Sequence, residues 1–161
     1  MKKSLVAFFL IIFATCSLAQ TPATLKVVNP LTDSVVNYSK TFLGTPYVYA
    51  CASSAGFDCS GFTWYVFNHY HIVVPRSSKD YKTFGTEIPI DQARKGDIIV
   101  FRGTHPSDKS AGHVGIVITN PGEPLQFIHS SSSKNHEGVV ITDYKNSAYP
   151  GRFIKIVRVI E

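Results

Sequence analysis

Residues 56–62 have the sequence GFDCSGF, and this stretch predicts the start of a helix with a cysteine in its first turn. Asp58 suits the N-cap position, because its carboxylate can accept hydrogen bonds from the free amides of the first turn. The apolar residues that follow recur at helical spacing as far as Tyr70. We therefore predict a helix over residues 58–70 that carries Cys59 at its N-terminus.

Cys59 is a candidate nucleophile because of that position. The free N–H groups and the partial positive charge of a helix N-terminus favour a thiolate and can donate to an oxyanion. Gly61 would allow a substrate or a neighbouring segment to approach closely. Cysteine is also among the residue types most often buried, so a purely structural Cys59 is the alternative.

The rest of the chain has helical patterns first and strand patterns second. Spacing predicts a helix over residues 31–43, ended by Gly44, and a short polar helix over residues 77–84. After Gln92 the chain has β-branched runs separated by turn residues, which are typical of strands. The predicted strands are 97–102, 113–119, 125–131, 139–144 and 152–160. This order indicates an α+β fold, with N-terminal helices packed on an antiparallel sheet of about five strands.

Two histidines lie in neighbouring predicted strands. His113 opens the run HVGIVIT, His129 lies in LQFIHSS, and Pro121-Gly122 predicts the hairpin turn between them. A hairpin with an even register would place the two imidazoles side by side on one face, whereas an odd register would separate them. Such a pair supplies the base that a thiol nucleophile needs and a group that orients the base. A zinc site formed with Cys59 is the alternative, although no fourth ligand is well spaced.

The first nineteen residues predict a signal peptide. Lys2 and Lys3 precede an uncharged apolar run, and small residues end at Ala19, where we expect cleavage. The run is about ten residues long, which is too short to span a bilayer. Lipidation at Cys16 is an alternative, but Phe13 and Thr15 fit such a site poorly.

These patterns give a domain division of 1–19 as signal peptide, 20–30 as lead-in segment and 31–161 as one catalytic domain. We expect a periplasmic or extracellular protein that has no integral membrane segment after cleavage and is a monomer.

The formal charge of +5 falls to +3 without Lys2 and Lys3, and this mildly basic charge is adequate for attraction to an anionic cell wall. The chain has no concentrated Lys/Arg stripe, so we expect no nucleic-acid partner. Cys51 and Cys59 could form one disulfide, although the context of Cys59 argues against it.

An ordered set of short motifs carries a resemblance to a known family. The motifs are GTPYVYA at 44–50, GFDCSGF at 56–62, VPRSS at 74–78, KGDIIVF at 95–101, GHVGIVI at 112–118 and FIHSSSS at 127–133. Together they resemble the NlpC-type cell-wall endopeptidases of the papain-like superfamily. The resemblance implies a cysteine peptidase with a catalytic triad of Cys59, His113 and His129, without a metal or a cofactor.

The resemblance also implies residues that contact the substrate. Tyr47 matches a tyrosine that lines the site, and Asp58 and Ser60 match residues beside the nucleophile that hold the free amino end of the substrate. Arg76 and Ser77, with Ser78, match a loop near the cleft. The implied substrate is the stem peptide of peptidoglycan, cut between γ-D-glutamate and the diamino acid or at a neighbouring bond.

The chain departs from the family pattern in two places. Ala50-Cys51 stands where many members have Gly-Gly, which would place Cys51 near the cleft entrance. A familiar Gln after the Arg-Ser loop is missing, and Asp80 and Tyr81 lie in that region. Neither departure removes a member of the triad. Two other functions stay open: a non-catalytic wall-binding module, and an amidase or acyltransferase on the same fold.

Overall fold

The computed structural model describes residues 29–105, 107 and 109–161. The predicted signal peptide and most of the predicted lead-in segment lie outside these residues, so their assignment stays a prediction. Within the described ranges, no helix combines the length and the apolar character needed to cross a membrane.

Two α-helices precede the main sheet. Helix α1 spans Pro30–Lys40, and the Asn29 side chain caps it by accepting from the amide of Leu31. It ends four residues before Gly44, because residues 41–44 form a turn in which Gly44 has a φ of +82°. Helix α2 spans Cys59–His69 and has Asp58 as its N-cap, which confirms the predicted start. The short helix predicted over 77–84 is a 3₁₀ helix at Ser78–Lys82.

Eight strands form two antiparallel sheets in the described part of the chain. They are β1 (Ala52–Ser53), β2 (Gly56–Phe57), β3 (Thr86–Ile88), β4 (Ile98–Arg102), β5 (Ala111–Val117), β6 (Gln126–Ser133), β7 (His136–Asp143) and β8 (Phe153–Arg158). Strands β1 and β2 form a small hairpin, and the others form a six-stranded sheet in the order β3-β8-β4-β5-β6-β7. The predicted α+β class is confirmed, and the five predicted strands correspond to β4–β8. Strand β3 was missed because three largely exposed residues carry no readable alternation.

The main sheet has an apolar core on each face. On one face, Phe62 and Val66 of α2 pack in a cluster with Val114 and Ile116 of β5. On the other face, Phe101 of β4, Phe127 of β6 and their neighbours form a second cluster. Because side chains alternate along a strand, His113 lies on the face opposite Val114, beside this second cluster.

The β5–β6 hairpin has the register on which the histidine prediction depended. Ile116 pairs with Ile128 and Val117 with Phe127, so paired residue numbers sum to an even value. His113 and His129 are therefore diagonal neighbours on one face, which confirms the predicted arrangement. Gly115 lies between them and allows close packing, since a Cβ there would be 3.1 Å from the Cβ of His129.

Candidate active site

The start of α2 is held in place by Asp58 and Gly61. The Asp58 carboxylate accepts a hydrogen bond from the amide of Gly61, and the amide of Asp58 donates to the carbonyl of Cys51. A Cβ on Gly61 would lie 2.2 Å from that carbonyl oxygen, so only glycine fits at this position. The predicted need for close approach at Gly61 is thus met by the chain segment that contains Cys51.

Cys59 lies at the N-terminus of α2, against the backbone of β5. Its Sγ is 3.9 Å from the carbonyl oxygen of Gly112, and the amide of Val114 hydrogen-bonds it. These are the two chain neighbours of His113. Cys59 is only 8% exposed. The fold therefore brings the sulfur to the point on β5 where the first predicted histidine is located.

The amides at the helix start lower the pKa of the Cys59 thiol, as predicted, but the net shift is in the opposite direction. Burial raises the pKa of the thiol above its usual value, and the charge of Asp58 raises it further. Hydrogen bonds from the amides of Val114, Ser60 and Cys59 lower the pKa, but burial outweighs them. The sulfur therefore rests as a neutral thiol and needs a base when it reacts.

His113 and His129 form a direct hydrogen bond. Nε2 of His113 is 2.8 Å from Nδ1 of His129, and the two rings are nearly perpendicular at 88°. Among the described residues, Nδ1 of His113 has no hydrogen-bond partner. The hydrogen bond to His129 engages Nε2 of His113 and leaves Nδ1 without a competing partner in the described part of the chain.

The surroundings of both imidazoles keep them neutral. Burial lowers the pKa of His113 well below 6.5, and the charges of His129 and Arg152 lower it further. Burial, followed by the charge of Arg152, lowers the pKa of His129 to about 3. A neutral imidazole is the form that can act as a base.

Three residues around the pair were missed by sequence reasoning. Thr142 of β7 has its Oγ1 2.9 Å from Nε2 of His129. The ring of Tyr149 stacks on His113 at 5.5 Å between centroids, and its hydroxyl is 3.3 Å from Nε2. Arg152 lies over the Tyr149 ring at 5.1 Å and donates to the carbonyl of Arg102. Their identities and spacing carry no motif, and only the fold brings them to the histidines.

Three of the residues expected to contact substrate form one polar cluster beside Cys59. Arg76 makes a bidentate ion pair with Asp58, with Nη1 3.0 Å from Oδ1 and Nη2 2.8 Å from Oδ2. Ser60 donates to Asp58 Oδ1 at 3.3 Å, and Arg76 donates to the Ser60 hydroxyl at 3.4 Å. The Arg76 side chain is 40% exposed and that of Asp58 only 12%, so the cluster opens to solvent on the Arg76 side.

The two other expected contact residues lie differently. The hydroxyl of Ser77 caps the 3₁₀ helix by accepting from the amide of Lys79. Tyr47 is half-buried and forms an isolated parallel β-bridge with Phe57, two residues before Cys59. Burial raises the pKa of Tyr47, and the charges of Cys59 and Asp58 raise it further.

The alternatives of a disulfide and of a zinc site find no support in the described residues. Cys51 and Cys59 are both free, and the Cys51 sulfur lies 3.4 Å from the Ser53 hydroxyl. Across the described ranges, no three His, Cys, Asp or Glu side chains are grouped so as to hold a metal ion.

A cysteine at a helix N-terminus, set against a histidine pair on an antiparallel sheet, defines the papain-like α+β class of domain. Within that class, the model of the NlpC/P60 family matches residues 44–158, and the chain belongs to this family.

Individual proteins agree with this assignment. The chain is 37% identical over 111 residues to a gamma-D-glutamyl-L-lysine dipeptidyl-peptidase of Bacillus cereus, which covers 69% of the chain but 32% of that relative. It is 29% identical over 167 residues to a protein of Escherichia coli called "Probable endopeptidase NlpC", covering 99% of the chain and 100% of that relative. The crystal structure of an NlpC/P60 family protein from Bacillus cereus superposes with a TM-score of 0.72 at 30% identity, covering 84% of the chain and 42% of that protein. The chain thus spans about a third of the dipeptidyl-peptidase and all of the shorter relative.

Proposed function

We propose that this protein is an exported cysteine peptidase that hydrolyses an amide bond in the stem peptide of peptidoglycan. Cys59 is its nucleophile, His113 its general base and His129 the residue that orients the base. The observation that carries the proposal is the buried 2.8 Å hydrogen bond between the two histidines, next to a cysteine at a helix N-terminus. A purely structural cysteine would not need a neutral base beside it.

The chemistry begins with a proton transfer. Nδ1 of His113 takes the proton of the Cys59 thiol, and the sulfur attacks the amide carbonyl to form a tetrahedral intermediate. The amide of Cys59 has no acceptor within the helix, because it lies at the helix start, and it can donate to the oxyanion. His113 then returns the proton to the leaving amine, and water hydrolyses the acyl-enzyme.

The bond proposed for cleavage is the one between γ-D-glutamate and the diamino acid. The name of the Bacillus cereus relative, a gamma-D-glutamyl-L-lysine dipeptidyl-peptidase, supports this choice. A dipeptidyl enzyme must recognise a free amino end two residues before the cut. Asp58 and Ser60 supply a carboxylate and a hydroxyl beside Cys59 that suit a substrate ammonium group.

Arg76 has a defined place in that subsite. Its ion pair with Asp58 fixes the orientation of the carboxylate, so that the oxygens are presented to the substrate without reorganisation. Tyr47, whose pKa is raised in part by the charges of Cys59 and Asp58, is proposed to line the same cleft.

The two alternatives from the sequence predict different behaviour. A non-catalytic wall-binding module would bind peptidoglycan and release no product. An amidase or acyltransferase would act at another bond or transfer the acyl group to an acceptor other than water. The polar cluster at Asp58 favours a peptide with a free amine over a lipid.

The test is the digestion of defined stem peptides by the purified full chain, followed by mass spectrometry of the products. L-Ala-γ-D-Glu-diamino acid peptides should give L-Ala-γ-D-Glu and the free diamino acid fragment. Cys59→Ala should lose this activity and keep the wild-type circular dichroism spectrum, while Cys51→Ala, the matched control, should stay active. Activity retained in Cys59→Ala would refute the proposed nucleophile, and binding without products would favour the wall-binding module.

A further inference from the structure

The hydrogen bond between His113 and His129 can hold its proton in either of two arrangements. In one, His113 carries the proton on Nε2 and donates to Nδ1 of His129, which leaves Nδ1 of His113 free to accept. In the other, His129 donates from Nδ1, and neutral His113 then carries its proton on Nδ1. Only the first arrangement provides a base for Cys59.

The first arrangement requires a hydrogen-bond acceptor at Nε2 of His129. When Nδ1 of His129 accepts from His113, neutral His129 must carry its proton on Nε2. This imidazole is 1% exposed, so water does not reach it freely. A buried N–H without an acceptor costs free energy, so an acceptor at Nε2 is required to stabilise this tautomer.

Thr142 supplies this acceptor. It pairs with Phe127 in the β6–β7 ladder, while His129 pairs with Val140, so Thr142 is the diagonal neighbour of His129 on the same face. Its Oγ1 lies 2.9 Å from Nε2 of His129. Among the described residues, Thr142 is the hydrogen-bond partner of that nitrogen.

We propose that Thr142 is a positioning residue, whose hydroxyl accepts from Nε2 of His129 and thereby holds the imidazole pair in the arrangement that leaves Nδ1 of His113 free. The chain of groups then runs from the Cys59 thiol through His113 and His129 to Thr142. When His113 takes the thiol proton it becomes an imidazolium with both nitrogens protonated. His129 can accept from that imidazolium only while its own proton stays on Nε2, bound to Thr142, and no proton leaves His129.

This inference rests on the proposed function, because the free Nδ1 matters only if His113 acts as a base. Its test compares Thr142→Val, which removes the hydroxyl at nearly constant volume, with Thr142→Ser, which keeps the hydroxyl. Thr86→Val makes the same chemical change on an exposed strand and is the matched control. The readouts are kcat and KM for a cleaved stem peptide, and the ¹⁵N chemical shifts of the ring nitrogens in ¹⁵N-histidine-labelled protein.

We expect Thr142→Val to lose about tenfold in kcat with little change in KM, as for the loss of one buried hydrogen bond. Thr142→Ser and Thr86→Val should stay within about threefold of the wild type. The wild-type shifts should show His129 protonated on Nε2 and not on Nδ1, and Thr142→Val should shift this balance towards Nδ1.

A Thr142→Val variant with wild-type kcat and an unchanged His129 tautomer would overturn the inference, as would a wild type protonated on Nδ1 of His129. The nitrogen shifts need no substrate. If the wild type cleaved no stem peptide, the proposed function would fail, and the shifts would still decide the role of Thr142.

Discussion

The imidazoles of His113 and His129 share a hydrogen bond of 2.8 Å in surroundings that leave 8% of the first residue and 1% of the second exposed. Protonating either ring would place a positive charge in this buried space, near the guanidinium of Arg152. The pair is therefore both the centre of the candidate site and a source of acid sensitivity in the fold.

The free energy of unfolding should fall as the pH drops below about 6.5, the ordinary histidine pKa. The folded pKa values of both histidines are lowered, to about 3 for His129, so the unfolded chain binds protons that the folded chain excludes. The stabilisation is thus complete above the unfolded pKa and is lost as the pH falls towards the folded one. Each histidine contributes a slope of about 1.4 kcal/mol per pH unit in that window.

His129→Gln tests this dependence by urea denaturation between pH 5 and 6.5, above the range in which most carboxylates titrate. Glutamine can still accept from His113 but does not titrate. The slope of the unfolding free energy against pH should therefore decrease by the contribution of one bound proton, about 1.4 kcal/mol per pH unit. Thr86→Val, which changes no titratable group on an exposed strand, should keep the wild-type slope. An unchanged slope in His129→Gln would contradict a neutral buried His129.

Tyr149 should control the pH range of activity through its ring and not through its hydroxyl. The ring stacks on His113 and shields the pair from water. Tyr149→Ala should admit water, raise the pKa of both imidazoles towards 6.5 and move the acid limb of kcat/KM to higher pH. Tyr149→Phe keeps the ring and should leave the limb in place. A pH–rate profile of the two variants measures this, and an equal shift in both would assign the effect to the hydroxyl instead.

Asp58 should determine the preference for a substrate with a free amino end. Asp58→Asn is the informative variant, because asparagine is an equally good N-cap and should preserve the start of α2. The neutral amide cannot pair with an ammonium group, so we expect kcat/KM for the free peptide to fall about tenfold. An N-acetylated peptide should be a poor substrate for both proteins. If the variant kept the wild-type preference for the free amine, Asp58 would not be its recognition site.

Gly61→Ala should destabilise the domain by about 1–3 kcal/mol, because its Cβ would overlap the Cys51 carbonyl and the chain would have to shift. Urea denaturation at neutral pH measures this change. Gly151→Ala is the control, since a Cβ there would meet nothing within 4 Å. Equal stability in both variants would mean that the Cys51 segment moves away without cost.

Local signals allowed much of the fold to be predicted. The Asp58 cap depends on residues within one helical turn, and the β5–β6 register depends on one turn and the two-residue period of strands. The end of α1 was placed too late, because a turn at residues 41–44 preserves the apolar spacing without being helical. The edge strand β3 is too short for its pattern to be read.

The sequence by itself indicated the candidate nucleophile and the histidine pair, since each follows from spacing along one element or one hairpin, whereas the structure decided the even register that puts both imidazoles on one face. Only the tertiary structure decided which way the pKa of Cys59 moves, and that Thr142 and Tyr149 contact the imidazoles. Burial and contacts between separate strands depend on how distant segments pack. No periodicity in the chain encodes that packing, so these properties become visible only when the segments are brought together.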